Sequence, residues 1–417
     1  MAESTTIAPA VSASGHQMTA SPAASQRLMS VDALRGFDMF WIVGADEIFL
    51  ALNKMFKSQP MPAIMNQLDH CEWEGFHFED FIFPLFVFLM GASVVFSLTK
   101  IIAQEGRGAA VKRVIRRFVF MFVLALIYSG GFSKNWPDMR LMGVLNRIAL
   151  CYLFGSLIFV FFKPKAIIGI AASLLLGYWA LLAWVPYPDV RPTPGVGIIN
   201  RTNAPTLEQI NLSSTTMIHG SYIQGVNLTD YLDQKYLPGR KYDGTYDPEG
   251  FLSTMPAIVT CLLGIFAGLL LKNAEVCPTR KVVYLISFGI GSVLLGYLWG
   301  TQFPVIKKIW TSSYVLVAGG YGAILLGVFY WIVDILKFQA WCQPFVWMGM
   351  NSITIYFIHG FIVSFPRLST RLVGGDIEDF LNNHWTGLGD LLVALVATAL
   401  TFWLLHFLHR RKIFLRL

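Results

Sequence analysis

Residues 81–98 read FIFPLFVFLMGASVVFSL, eighteen positions with no charged side chain among them. A helix crossing a bilayer needs roughly 20 mainly apolar residues, and a helix apolar on every face belongs in a membrane or a deep core. The stretch does not stand alone. Windows of the same kind predict ten spans, at about 31–52, 80–99, 111–130, 141–162, 165–185, 251–271, 282–300, 311–333, 344–365 and 389–408. They take up about half of the 417 residues, and the whole-chain figures agree: 55% of residues are hydrophobic, 14% are charged, and mean hydropathy is +0.56. An ordinary soluble domain carries about 25% charged residues. The expected fold is all-α, a polytopic integral membrane protein of about ten transmembrane helices.

An even number of spans puts both termini on one side, and basic residues decide which. The terminal side carries Arg27, the block from Lys100 to Arg117, then Lys163, Lys165, Lys272, Arg280, Lys281, Lys337, Arg410, Arg411, Lys412 and Arg416, seventeen in all. The opposite side, leaving aside its long loop, carries eight. Both termini are thus expected in the cytoplasm. Two long loops fall outside it, 27 residues from Asn53 to Glu79 and 65 from Pro186 to Gly250. The second reads as an extracytoplasmic lid (186–250). Residues 1–26, rich in Ala, Ser, Thr and Pro and without a leader pattern, read as a disordered cytoplasmic tail. Residues 27–417 then form one transmembrane domain.

The formal charge of +7 does not point to nucleic acid, because the basic residues sit in short blocks between apolar windows, where membrane topology places them. The five cysteines, Cys71, Cys151, Cys261, Cys277 and Cys342, are odd in number and scattered, with no CxxC. Neither a disulfide framework nor a metal site is expected.

The first predicted span is the least lipid-like: SVDALRGFD runs from Ser30 to Asp38, and Asp46 and Glu47 follow. Asp32 and Arg35 stand three apart and can pair on one helix face; they either anchor the helix at the interface or hold a polar ligand entering from the cytoplasm. Asp46 is ionisable at a depth where such groups mark sites, unless it faces water in the following loop. Just before the FIFP run, DHCEWEGFHFED (Asp69–Asp80) gathers titratable and aromatic groups at a membrane face. A neutral imidazole there, His70 or His77, takes a proton from an amine or hydroxyl nucleophile or is itself acylated, and a nearby carboxylate fixes its tautomer. A solvated surface histidine is the plainer reading. A Cys71–His70 dyad is disfavoured, since adjacent residues rarely face one another. Arg147, Asn351 and His359 lie inside predicted spans and need partners in the bundle. With Arg35 and Asp46 they outline a polar tunnel, which suits a secondary transporter as well as a membrane enzyme.

Four stretches decide between these readings: SVDALRGFDMFWIVGAD (30–46), DHCEWEGFHFEDFIFPLFVFLMGAS (69–93), FPVIKKIWTSSYVL (303–316) and WMGMNSITIYFIH (347–359). In this order they resemble the heparan-α-glucosaminide N-acetyltransferase family, and the resemblance runs from about Arg27 to the basic end HRRKIFLRL. It implies transfer of an acetyl group from cytosolic acetyl-CoA, as co-substrate and without a metal, to the amine of a glucosamine-type sugar across the membrane. His70 matches the histidine regarded as catalytic, and Asp80 the acid before the FPxFVF run. Asp46 falls where the animal enzyme has an asparagine; an acid there orients His70 or binds a substrate ammonium. Asp32, Arg35, Arg147, Lys307, Trp310, Tyr314, Asn351, Ser352 and His359 also match family positions and are assigned to the ligand tunnel. Arg116 and Arg117 are added for the donor's phosphates. Trp73, in the Trp-x-Gly after His70, joins Asp80 on the acceptor side.

The resemblance further implies a bacterial inner-membrane relative that lacks the animal member's extra lumenal domain and one further span, with a homodimer admitted as an assembly. His70 acts as general base in direct transfer, or as an acetylated intermediate, with Asn351 or Tyr314 as oxyanion donor. Two alternatives stay open: a secondary transporter of an amino sugar using Asp46 and His70 as a relay, and an O-acetyltransferase of an envelope glycan.

Overall fold

The computed structural model describes residues 28–56, 61–191, 211, 214–357 and 365–413. Arg27, His359 and residues 1–26 lie outside the described residues. The chain forms helices α1 (Met29–Phe40), α2 (Asp46–Met55), α3 (Met61–Gln67), α4 (Phe78–Tyr128), α5 (Val144–Phe161) and α6 (Pro164–Trp184). A two-residue strand pair follows, β1 (Tyr187–Pro188) antiparallel to β2 (Met217–Ile218). Then come α7 (Leu228–Tyr236), α8 (Thr254–Lys272), α9 (Pro278–Gly300), α10 (Ser312–Phe329), α11 (Gln343–Met350), α12 (Ser352–Phe357), α13 (Phe365–Val373), α14 (Asp376–His384) and α15 (Leu388–Arg410).

Seven of the described helices are long and apolar enough to cross a membrane, and the all-α polytopic expectation is borne out. One of them, α4, holds both the second and the third predicted spans. Its 51 residues would extend about 77 Å if straight, far beyond the ~30 Å hydrocarbon core. The chain leaves helical geometry at Gly106, whose φ of 85° favours glycine. Two other predicted spans are broken. The first divides into α1 and α2 at a π-helical turn, Trp41–Ala45, that includes non-helical Gly44. The ninth divides at Asn351, between α11 and α12. Apolar periodicity alone cannot report such breaks, because each half keeps its hydrophobic face.

Burial sorts the spans. For α4 and α8, 72% and 78% of the most apolar window is inside the protein, whereas for α6, α9 and α15 it is 28%, 28% and 22%. The former make the centre and the latter the periphery, whose exposed Leu, Phe and Val side chains suit hydrocarbon. Central crossings are made by small residues that let backbones touch. A Cβ on Gly264 would lie 1.8 Å from the Phe88 carbonyl oxygen, and one on Gly91 2.0 Å from that of Cys261, so α4 and α8 cross in backbone contact. Gly36 and Gly349 do the same for α1 and α11, at 1.7 Å from Phe345 O and 1.8 Å from Asp32 O.

Gly264→Val should therefore separate α4 from α8. The expected outcome is a cost of about 1–3 kcal/mol or more, read as a fall of several degrees in Tm in detergent. Gly177→Val, on peripheral α6 with nothing within 4 Å of the added carbon, should leave Tm unchanged.

Candidate active site

The site is built around one carboxylate. Asp80 stands in the first turn of α4, where an acid complements free backbone N–H groups. Its Oδ2 accepts from the backbone N–H of His77 and of Cys71, both at 3.1 Å. Its Oδ1 lies 3.1 Å from His70 Nδ1 and 3.2 Å from Lys307 Nζ. The Tyr314 hydroxyl, fully buried on α10, donates to the Asp80 carbonyl oxygen at 2.7 Å. Asp80 therefore ties together the 69–77 loop, the start of α4 and the loop before α10.

Backbone pairing brings the two loops side by side. Gly75 N donates to Val305 O at 2.9 Å, and Glu74 bridges Ile306. Gly75 itself has φ of 133°, and a Cβ there would meet the Cys71 sulfur at 2.6 Å. Lys307 thereby sits over Asp80; burial holds its ammonium below the usual lysine range, against the pull of Asp80.

His70 Nδ1 lies 3.1 Å from both Asp80 Oδ1, which only accepts, and Lys307 Nζ, which only donates; with the ammonium also held by Asp80 at 3.2 Å, a proton on Nδ1 is the tautomer in which the ring can serve as a base. Nε2 is left as the ring's open nitrogen. His70 and Asp80 line a cavity of about 350 Å³ together with Asp46, Glu79, Lys307, Trp310 and Ser352, at the small end of ligand pockets, which run about 300–1,000 Å³. Its inner part is apolar, reaching Phe83, Met121 and Ile148. His77 faces the other way, its Nδ1 2.9 Å from Asp69 O. The Cys71 thiol donates to Glu74 O at 2.9 Å, and burial pushes it up from its ordinary range.

The other predicted site residues fall into three groups. Behind the cavity wall, Arg147 is fully buried with its guanidinium 5.0 Å from the Trp310 ring centroid, and it donates to Gly250 O and to Ser253 Oγ. Trp310 Nε1 donates to Thr260 Oγ1 at 3.2 Å. Asn351 is buried beside Ser352, and neither of its amide atoms has a partner among the described residues. Toward the terminal end, Asp32 and Arg35 pair at 3.4 Å, and Arg35 also reaches Gly349 O at 3.2 Å and Ser93 Oγ. Arg116 is exposed and Arg117 lies over the Tyr152 ring at 4.7 Å; none of these four lines the cavity. Trp73 instead contacts the long loop, its Nε1 donating to Tyr222 O at 2.8 Å.

The long loop and the cations that bind it supply residues that sequence reasoning missed. Arg140 binds Asp247 through two bonds of 2.7 and 2.6 Å and Glu249 at 2.5 Å, and it stacks on Tyr242 at 4.8 Å. Lys308 pairs with Asp243 at 3.2 Å. Arg140, Tyr242, Glu249 and Lys308 all line the cavity. The run Tyr242–Glu249 in the long loop held the signal, three acids in eight residues. Nothing local joins it to Arg140, more than a hundred positions earlier. The described part of the lid has its own apolar packing, Tyr187, Val190, Leu228 and Tyr231 against Phe303, Ile306 and Ile309.

Two findings make the lid testable. Removing Arg140 would leave Asp247 and Glu249 buried without a cation, so Arg140→Ala should cost about 3–5 kcal/mol locally and expose residues 222–253 to limited proteolysis. In α7, burial raises the Asp233 carboxyl to about 7, with Asp247 pushing it up and the Phe251 N–H and Arg147 opposing; Asp230, one turn away, is raised as well. A carboxyl raised on folding adds stability that is complete below its unfolded value of 3.8 and is lost as pH climbs toward about 7. Hydrogen exchange of the lid should accelerate across that window, and Asp233→Asn should flatten the dependence.

Comparison with known proteins bears out the resemblance read from the motifs. Residues 27–222 match the model of the heparan-alpha-glucosaminide N-acetyltransferase catalytic family. The chain is 26% identical over 376 residues to heparan-alpha-glucosaminide N-acetyltransferase of Mus musculus, which covers 83% of this chain and 56% of the relative. Against the Homo sapiens protein of the same name it is 26% identical over 379 residues, 83% of this chain and 55% of the relative. The chain thus spans about half the length of the curated relatives it matches.

Proposed function

We propose that this protein is a transmembrane N-acetyltransferase that moves an acetyl group from cytosolic acetyl-CoA to the amine of an extracytoplasmic glucosamine-type sugar. Its setting is the inner membrane of a bacterium, with both termini in the cytoplasm. One observation carries the reading: His70 lines the cavity while its Nδ1 lies 3.1 Å from the Asp80 carboxylate. That is the arrangement of a general base with an orienting carboxylate.

His70 Nε2 takes the proton that the acceptor nitrogen loses as it bonds to the acetyl carbonyl carbon, and Asp80 stabilises the imidazolium that forms. Bound acetyl-CoA would supply an acetyl group already activated as a thioester. The residues present fit such a donor: Asn351 has a buried amide with no partner, next to Ser352 in the cavity wall, and its N–H is suited to a developing oxyanion. Tyr314 has its hydroxyl committed to Asp80 O and acts by position. Trp310, braced by Arg147, forms a flat wall for the donor's reactive end. Asp32, Arg35, Arg116 and Arg117, toward the terminal end, face the side from which a cytosolic donor with its phosphates arrives. His359 completes the assigned set, outside the described residues. The lid, held through Trp73 and Arg140, keeps bulk water from the reacting carbonyl.

The test is CoA release by detergent-purified protein given acetyl-CoA, with and without glucosamine. Release that depends on glucosamine, is absent with N-acetylglucosamine, and falls about 10²–10⁴-fold in His70→Ala supports the reading. No CoA under any amino-sugar condition, combined with uptake of labelled glucosamine into proteoliposomes, would overturn it in favour of a transporter.

A further inference from the structure

The cavity's charges are unevenly spent. Three cations line it, and each is committed to an acid: Lys307 to Asp80 at 3.2 Å, Lys308 to Asp243 at 3.2 Å, and Arg140 to Asp247 and Glu249 at 2.6 and 2.5 Å. Two further carboxylates, Asp46 and Glu79, also line it; among the described residues neither has an ion-pair partner within 4 Å, and the Lys307 ammonium is drawn by Glu79 as well as by Asp80. Three lining cations thus stand against four lining carboxylates, Asp46, Glu79, Asp80 and Glu249, while Asp243 and Asp247 engage two of the same cations from outside the lining. Behind the same wall, one residue before cavity-lining Met39, Asp38 is wholly buried with neither side-chain oxygen hydrogen-bonded. The loop carrying His70 adds exposed Asp69, Glu72 and Glu74.

A partly open cavity with this imbalance favours a cation and repels an anion, more strongly at partly buried Glu79 than at solvent-exposed Asp46. Glu79 immediately precedes Asp80, and Asp80 holds His70. A cation seated on Glu79 and Asp46 is therefore beside the base that would deprotonate it. Resting on the transferase reading, we infer that Glu79, with Asp46, seats the acceptor as an ammonium ion, and that the acceptor is a cationic amino sugar rather than a glycan bearing uronate or sulfate groups. The proton balance is complete: the ammonium first releases one proton to solvent through His70 Nε2, the neutral amine attacks, and His70 takes the second proton as the C–N bond forms and returns it to the departing thiolate, which leaves as a thiol. Glu79 acts here as a specificity-determining residue, exchanging no proton in the transfer.

The experiment is titration calorimetry of the full-length detergent-purified protein with no acetyl donor present, using glucosamine, N-acetylglucosamine and a glucosamine–uronate disaccharide as probes. Glucosamine should bind at least about tenfold more tightly than either of the others, with the preference shrinking as salt is raised. Glu79→Gln should weaken glucosamine about tenfold or more, Asp46→Asn should weaken it in the same direction, and Glu79→Asp should keep most of the affinity. Melting curves matched to wild type establish that the variants are folded. Equal affinity for glucosamine and the uronate disaccharide, or unchanged affinity in folded Glu79→Gln and Asp46→Asn, overturns the inference. Since no donor is present, selective ammonium binding without CoA release in the turnover assay would sink the transferase reading alone. CoA release with an unchanged glucosamine KM in Glu79→Gln would sink this inference alone.

Discussion

The carboxylate of Asp80 is the constraint from which the rest of the site follows. It is 1% exposed, and a charge so buried is tolerated only when surrounded by donors. Those donors come from two segments: the 69–77 loop, through its backbone N–H groups and the His70 ring, and the loop before α10, through the Lys307 ammonium. The requirement that satisfies Asp80 is the same one that fixes the tautomer of His70 and brings the loop before α10 against the first turn of α4. Site geometry and local stability are therefore two readings of one hydrogen-bond network.

Around this centre, regular helix gives way where the chain lines the cavity. The break between α1 and α2 lies at Trp41–Ala45, and Trp41, Ile42 and Asp46 line the cavity; the break between α11 and α12 leaves Asn351 buried and Ser352 in the wall. Lipid does not tolerate unpaired backbone, so irregular segments at membrane depth are confined to protein-enclosed positions. The glycine crossings of α4 with α8 and of α1 with α11 make room for this, holding the regular helices in backbone contact while the broken ones open beside them.

The long loop joins the site through charge as well as apolar packing. Arg140 and Lys308 reach from outside the lid to Asp243, Asp247 and Glu249 within it, and each pair is partly or wholly shielded from water. Such pairs are strong fasteners only while complete, since removing one partner strands the other. The same ion pairs that join the loop to the site take up the cavity's cations.

Sequence by itself determined the class of the fold. Uncharged runs such as residues 81–98 admit little but a membrane helix, because the cost of burying charge in hydrocarbon leaves a mark that composition alone can read. It also offered His70, Asp80, Asp46, Lys307 and Trp310 as site residues, through chemistry-bearing types at a membrane face and the motifs in which they stand. Tertiary structure decided that these line one cavity, that Arg147 and Tyr314 stand behind its wall, and that Asp32, Arg35, Arg116 and Arg117 do not line it. It alone joined Arg140 to Asp247 across 107 positions and set Glu79 into the cavity. The physical reason is range: apolar periodicity and capping are properties of a few consecutive residues, whereas ion pairing and cavity lining depend on which distant segments the packed helices bring within a few ångströms.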